Sequence, residues 1–321
     1  MNIPSICARV LPAAAAVLLG SQFAAAEPWP SRPVTMVVTF AAGGPADGTA
    51  RLIANELSER LGQRVIVENK GGAGGNIGAA SVAKAAPDGY TLLLVTSGPG
   101  AINTLIYKSL PYDPFKDFTP VVLVAGVPTT ILVSPKLPVN DLKDLVAYGK
   151  AHPHKLSVGN PGYGTGGHIV AALFADTVGI EVTHVPYRGV GPMLTDLMSG
   201  QIDVGFAGFV PQILNMKAIG VTAEKRADAL PDVPTVREAL GLDVASGVWY
   251  GIMAPAGTPR GIVDKVNAGV NEFFKTARGR ELSKSLGMQP LGGTPEDMSA
   301  LMTKDVERLK PVIRKANITM D

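Results

Sequence analysis

The first third of the chain alternates between apolar runs of strand type and runs with helical spacing. Residues 34–40 (VTMVVTF) are a β-rich apolar run, the mark of a buried strand. The glycine loop Ala41-Ala42-Gly43-Gly44-Pro45-Ala46 ends it. Asp47 then stands where a helix N-cap belongs. Ala50, Leu52, Ile53, Leu57 and Leu61 mark one helical face, and Gly62 is the stop. Residues 64–68 (RVIVE) predict the next strand, followed by the loop at 71–75 and an Ala-rich helix to about Ala86. Residues 91–96 (TLLLVT) predict a third strand. This order and these lengths predict a parallel βαβαβ unit.

The same order returns later. A short strand at 156–159, a glycine loop at 160–167 (NPGYGTGG) and a helix at 168–178 closed by Gly179 are followed by a strand at 181–185. A helix at 190–199 and a strand at 202–206 complete the echo. Between the two units, the β-rich runs 118–124 and 129–133 carry the chain across. A strand at 247–254 brings it back. Thr258-Pro259 reads as N-cap and N1 of a helix to about Thr276, and Thr294-Pro295-Glu296-Asp297 starts a last helix ending near Ala316. The expected fold class is α/β: two lobes with parallel or mixed sheets, joined by extended hinge strands near 124–129 and 245–249.

Such a pair of lobes forms a cleft, and ligands of open parallel sheets bind beyond the carboxyl ends of the strands. Both glycine loops fall there, each before a helix N-terminus. Exposed amides and the helix dipole make such ends anion sites without cationic side chains, and neither loop contains Lys or Arg. Two facing anion sites suit a ligand with a carboxylate at each end.

Composition narrows the classes. The chain has 321 residues, 29 Lys plus Arg against 27 Asp plus Glu, and a formal net charge of +2; a nucleic-acid binder normally carries a basic stripe. Arg9, an apolar stretch at 10–20 and Ala24-Ala25-Ala26 before Glu27 form an export signal over residues 1–26, which places the mature chain in a bacterial periplasm. The lone cysteine, Cys7, lies inside that signal. The mature chain then has no disulfide, thiolate nucleophile or Cys zinc site.

Several motifs have competing readings. Gly162-Tyr163-Gly164-Thr165-Gly166-Gly167 satisfies the dinucleotide pattern G-x-G-x-x-G, but Glu181 opens the next strand, where the ribose-binding acid should sit near the strand's end. No Gly-x-Ser-x-Gly elbow exists, and four His in total argue against a His-rich metal site. No enzyme chemistry, cofactor or metal is expected. Asp47 is either a helix cap alone or also fixes the glycine loop against a ligand. His168 either bonds locally, meets an anion or sets loop geometry. Arg188 sits at the carboxyl end of a predicted strand.

The chain resembles the substrate-binding proteins of tripartite tricarboxylate transporters, the Bug family. The matching segments are Trp29-Pro30-Ser31-Arg32-Pro33, Phe40-Ala41-Ala42-Gly43-Gly44 with Asp47, Gly74-Gly75-Asn76-Ile77-Gly78, Ala86-Pro87-Asp88-Gly89-Tyr90, His184-Val185-Pro186-Tyr187-Arg188-Gly189 and Ala254-Pro255-Ala256-Gly257-Thr258-Pro259. The resemblance implies a type II periplasmic-binding-protein (Venus-flytrap) fold. Lobe 1 would be 27–125 with 246–321, and lobe 2 would be 126–245. It implies a monomer that closes on a small organic acid and hands it to membrane permease subunits. The alternative is presentation to a sensor kinase. By position, Phe40, Ala42, Gly43, Gly44 and Asp47 would line one wall and Ser97 follows the third strand. Thr165, Gly166, Gly167 and His168 would line the other wall. Three departures lie near the cleft: Gly98-Pro99-Gly100 lacks a frequent His, Ala207 stands where Asp is frequent, and residues 211–219 are shortened. With Ala207 in place of Asp and Arg188 nearby, the cleft is expected to prefer an acid without an amino group.

Overall fold

Strands that are apolar on both faces take the middle of a sheet, and strands that alternate take its edge. β1 (Val34–Val38) is buried almost throughout. After helix α1 (Pro45–Leu61), β2 (Val65–Asn69) alternates between buried and open positions and forms an edge. Helix α2 (Asn76–Ala83) leads to β3 (Thr91–Thr96), which is buried like β1 and followed by the single turn α3 (Ser97–Gly100). β1 pairs in parallel with both β2 and β3, giving the expected βαβαβ unit. In this computed structural model the described residues are 28–242, 244, 248–315 and 318–320. The expected export signal (1–26), residues 245–247 of the expected second hinge and Ala316 lie outside them.

β4 (Phe118–Val127) belongs to the first sheet, and β5 (Thr129–Val133) to the second; Pro128 alone takes the chain from one to the other. The second lobe continues with α4 (Leu142–Ala151), β6 (Leu156–Asn160), α5 (Gly166–Val178), β7 (Val182–Pro186), α6 (Val190–Ser199) and β8 (Val204–Gly208). β6 pairs in parallel with β7 and β8, so each lobe sets the first strand of its unit between the second and third. β5 and β9 (Lys217–Val221) extend this sheet antiparallel, and α7 (Val236–Leu240) packs beside α4. The shortened segment folds as a 3₁₀ turn at Pro211–Asn215 running into β9.

The chain returns to the first sheet as β10 (Val248–Pro255), antiparallel between β3 and β4. Then come α8 (Arg260–Lys275), α9 (Ala277–Ser285), β11 (Gln289–Gly292) on the outer edge beside β4, and α10 (Pro295–Lys315). Both expected N-cap assignments around residues 47 and 258 shift. Gly44 caps α1 and puts Asp47 at the third helical position. Thr258 donates to the Pro255 carbonyl at 2.8 Å while Pro259 precedes the helix. In α1 the fixed φ and missing N–H of Pro45 set the first turn, whereas in α8 Pro259 is itself the cap residue. Thr294 caps α10 as expected, accepting from the Asp297 amide at 3.1 Å.

Each lobe has its own core. Ala50, Ile53 and Leu57 of α1 meet Val263, Val266 and Phe273 of α8 over the first sheet. Val170, Phe174 and Val178 of α5 pack on Val158, Val204 and Phe206 in the second. Burial of each such Leu, Ile or Phe contributes about 1.5–3 kcal/mol. The lobes also touch each other. The Tyr107 hydroxyl donates to the Tyr163 carbonyl at 3.4 Å. A Cβ at Gly74 would stand 2.4 Å from that same carbonyl oxygen. The Gly74 backbone, at φ +63, also needs glycine.

Candidate functional site

Three helices longer than two turns begin at the same cavity. α1 starts at Gly44-Pro45-Ala46, α5 at Thr165-Gly166-Gly167 and α6 at Gly189-Val190-Gly191. A helix leaves its first amides without intrahelical acceptors, and its dipole places about half a positive charge there. At α1 the amides of Gly44 and Ala46 are such groups. At α5, Thr165 accepts from the His168 amide at 3.4 Å, leaving Gly166 and Gly167 toward the cavity. At α6, Val190 and Gly191 remain and Pro192 brings no N–H.

The cavity between the lobes measures about 340 Å³, within the range of small-molecule sites. Of the residues expected at the site, Phe40, Ala42, Gly43, Gly44, Thr165, Gly166, Gly167 and Arg188 line it together. Asp47, Ser97, His168 and Ala207 do not. Asp47 and His168 lie behind the loops they support. Ser97 and Ala207 are 1% and 0% exposed, and the cavity is lined by their neighbours Thr96 and Gly208. Ala207 turns instead into an apolar cluster with Leu132, Met193 and Ile213. Successive residues of a strand face opposite sides, so a displacement by one position exchanges wall for interior.

Asp47 carries structure more than ligand. Its Oδ2 accepts from the Gly43 amide and from Arg51 Nε, both at 3.0 Å. Burial pushes its carboxyl up, but the Arg51, Gly43 and Asn69 hydrogen bonds outweigh that and hold it below the ordinary 3.8. The Gly43 amide is therefore committed to Asp47. Gly43 itself, at φ +84, lies in the left-handed region that glycine adopts without strain.

His168 supports the facing loop without charge. Its Nδ1 accepts from the Gly164 amide at 3.3 Å, and its ring meets Tyr163 and His184 edge-on at 5.0 Å. Burial, reinforced by the neighbouring His184, lowers its pKa to about 3. It is neutral at ordinary pH and sets loop geometry.

Arg188 is exposed and has no carboxylate partner among the described residues. Thr96 is the counterpart inside: it is 4% exposed, lines the cavity, and its Oγ1 has no hydrogen-bond partner. Val248 and Tyr250 of β10 complete the wall. Burial raises the Tyr250 hydroxyl well above its ordinary pKa, so it stays protonated.

Sequence reading missed α6 as a third contributor, along with Thr96, Gly208, Val248 and Tyr250. The α6 start carried the same signal as the other two, a strand followed by a glycine and a helix. The strand itself was expected at 247–254, but nothing local marked it as part of the wall, because that place comes from pairing with β3 and β4. Among the described residues no helix is long and apolar enough to cross a membrane, and no cluster of His, Cys, Asp and Glu could hold a metal ion.

Residues 49–318 match the model of the tripartite tricarboxylate transporter family receptor. The chain is 33% identical to protein BugT of Bordetella pertussis over 297 residues, covering 90% of this chain and 91% of that one. A solved R. palustris structure with adipate is 38% identical, with a TM-score of 0.88 over 91% of this chain and 99% of the other. MatC from Rhodopseudomonas palustris with bound malate is 36% identical, with a TM-score of 0.83 over 88% and 99%.

Proposed function

The chain belongs to the tripartite tricarboxylate transporter receptor family, and from that membership we propose that it captures a small organic carboxylate between its lobes and delivers it to the membrane permease subunits of such a transporter. Residues 1–26 direct its export to the periplasm. The observation that carries the reading is the convergence of the α1, α5 and α6 N-termini on one cavity, with no Asp or Glu among its described lining residues. Unpaired amides at dipole ends receive an anion without any deprotonation. The relatives of similar fold solved with adipate and with malate support a carboxylate cargo.

We assign the contacts to the amides of Gly44, Ala46, Gly166, Gly167, Val190 and Gly191, the Thr96 hydroxyl and Arg188. Asp47 and His168 hold the two loops in place. Lobe 1 is 27–125 with 246–321 and lobe 2 is 126–245, except that Gly126 and Val127 complete β4 in lobe 1, so closure turns on the Pro128 junction. The test is a thermal-shift screen of the mature protein against mono-, di- and tricarboxylates, aromatic acids, amino acids and neutral sugars. A cargo at a hundredfold excess over Kd stabilises by about 2.7 kcal/mol. Stabilisation by acids and not by sugars is expected; stabilisation by sugars alone would sink the reading.

A further inference from the structure

We propose that the Tyr163-Gly164 turn of lobe 2 docks, carbonyls first, into a notch of lobe 1 formed by Gly74, Gly98 and Tyr107. This backbone seat latches the lobes together and fixes the amides at the start of α5. The latch rests on the receptor reading above, but on no particular cargo.

The notch exists because two lobe 1 residues carry no side chain. A Cβ at Gly98 would stand 2.6 Å from the Gly164 carbonyl oxygen, and one at Gly74 would stand 2.4 Å from the Tyr163 carbonyl oxygen. Neither distance is open to a real Cβ, so two consecutive peptide groups of lobe 2 approach lobe 1 only where it has glycine. Tyr107 lies over the same turn. Its hydroxyl donates to the Tyr163 carbonyl at 3.4 Å, and its ring would be 3.0 Å from a Cβ on Gly164. Asn103 closes the far side. Its Nδ2 donates to Asn76 Oδ1 at 2.6 Å, and its own Oδ1 would stand 2.9 Å from that same Gly164 Cβ.

An apolar contact continues the seat past the turn. Ile169 of α5 is buried in one cluster with Ile102 and Ile106 of lobe 1 and Leu309 and Ile313 of α10. The chain end braces that side: the Met320 amide donates to the Ile106 carbonyl at 2.8 Å, and its carbonyl accepts from the Lys108 amide at 3.0 Å.

The seated turn is the cargo loop itself. Thr165 Oγ1 donates to the Gly162 carbonyl at 2.6 Å, and the Gly164 amide donates to His168 Nδ1 at 3.3 Å. The turn therefore moves as one piece with Gly166 and Gly167, which line the cavity. Packed interfaces switch between arrangements and do not deform continuously. A receptor that holds its cargo fully only when latched has its apparent Kd raised by the factor by which the latched population falls. Gly98 is the discriminating position. Its φ lies outside the left-handed region, and the nearest lobe 1 atom beyond its own helix, Asn103 Oδ1, would be 3.5 Å from an added Cβ. Alanine there obstructs lobe 2 alone.

The experiment is calorimetry, melting and small-angle scattering on the mature chain, free and with adipate or malate as probe. Wild type is compared with Gly98→Ala, Tyr107→Phe and Gly100→Ala, whose Cβ would stand 2.8 Å from Trp249 within lobe 1. Gly98→Ala should melt like wild type, bind the probe at least about tenfold more weakly, a gap of about 1.4 kcal/mol, and fail to compact. Tyr107→Phe should act in the same direction and less strongly, and Gly100→Ala should lose Tm and still compact. Wild-type affinity and compaction in Gly98→Ala would overturn the latch, as would Gly98→Ala and Gly100→Ala losing Tm and affinity together. Should Gly98→Ala fail to fold, Tyr107→Phe decides by the same readouts, and wild-type behaviour overturns the latch. If wild type binds neither probe, the loss falls on the carboxylate reading and the free proteins decide the latch. A larger radius of gyration for Gly98→Ala than for wild type supports it, and equal radii overturn it.

Discussion

The two glycine loops that face each other across the cavity are built to one plan and held by different chemistry. In lobe 1 the loop before α1 is fixed by a charged network, with Asp47 taking the Gly43 amide and pairing with Arg51. In lobe 2 the loop before α5 is fixed by neutral groups. Thr165 donates to the Gly162 carbonyl at 2.6 Å, Asn160 accepts from the Gly162 amide at 3.1 Å, and His168 accepts from the Gly164 amide. Each network leaves helix amides facing the cavity, and neither loop itself contains a cationic side chain. The loop's support and the loop's binding role are thus separable, and the two lobes should separate them differently when perturbed.

The largest effect is expected from Gly166→Ala. A Cβ there would stand 2.1 Å from Val248 Cγ2, so the α5 start must move away from β10. Overpacking of this kind costs about 1–3 kcal/mol, read as a clear fall in Tm. The matched change Gly44→Ala places its Cβ no closer than 3.8 Å to the Ala41 carbonyl oxygen and should melt like wild type. Equal melting of the two variants would remove the claim that the α5 start is packed tightly against β10.

Gly44→Val sharpens the contrast from the other side. The Gly44 backbone is extended at φ −90, so valine is tolerated, but its methyl groups occupy the approach to the α1 amides. Affinity for the best-binding acid should fall by about tenfold or more, or 1.4 kcal/mol, with Tm of the free protein little changed. Calorimetry beside melting decides it; unchanged affinity would take the α1 loop out of the binding site.

The two supports should also differ in acid. His168 has its pKa lowered to about 3 from 6.5, and that of His184 is also lowered by burial. Between those values the unfolded chain binds more protons than the folded one, so stability falls as pH drops from about 6.5 toward 3. Asp47 has a lowered carboxyl pKa. Its contribution is fully present above the ordinary 3.8 and is lost only as pH falls further, through its folded value. Lobe 2 should therefore weaken at higher pH than lobe 1. A melting series from pH 7 to 4 should show a slope that His168→Gln reduces and Asp47→Asn leaves alone. The opposite pattern would reverse the assignment of the two supports.

Much of this was legible because it is local. The glycine loops at 41–46 and 160–167 and the stops at Gly62 and Gly179 act within one turn of chain. The parallel order of each lobe followed from strand and helix lengths alone. The departures cluster where one residue decides a face. Thr96 lines the cavity and Ser97 does not; Gly208 does and Ala207 does not. Strand boundaries read from sequence drift by about that much, and a slip of one exchanges the two sides of a strand. The expected consequence of Ala207 for charge in the cleft changes accordingly, since that side chain faces the interior of lobe 2.

By itself the sequence determined the two α/β units, the glycine loops at their helix starts and the absence of cationic side chains in those loops. Backbone torsion, capping and apolar periodicity act between residues only a few positions apart, and they are written in the order of the chain. Only the tertiary structure decided that α6 and Arg188 meet the other two helix starts, and that Val248 and Tyr250 return from beyond lobe 2 to close the wall. It also left the Thr96 hydroxyl buried without a partner. Those relations join segments up to about 200 positions apart, from Phe40 to Tyr250. They depend on which sheet edges pair and how the lobes close, and no short stretch of sequence carries that information.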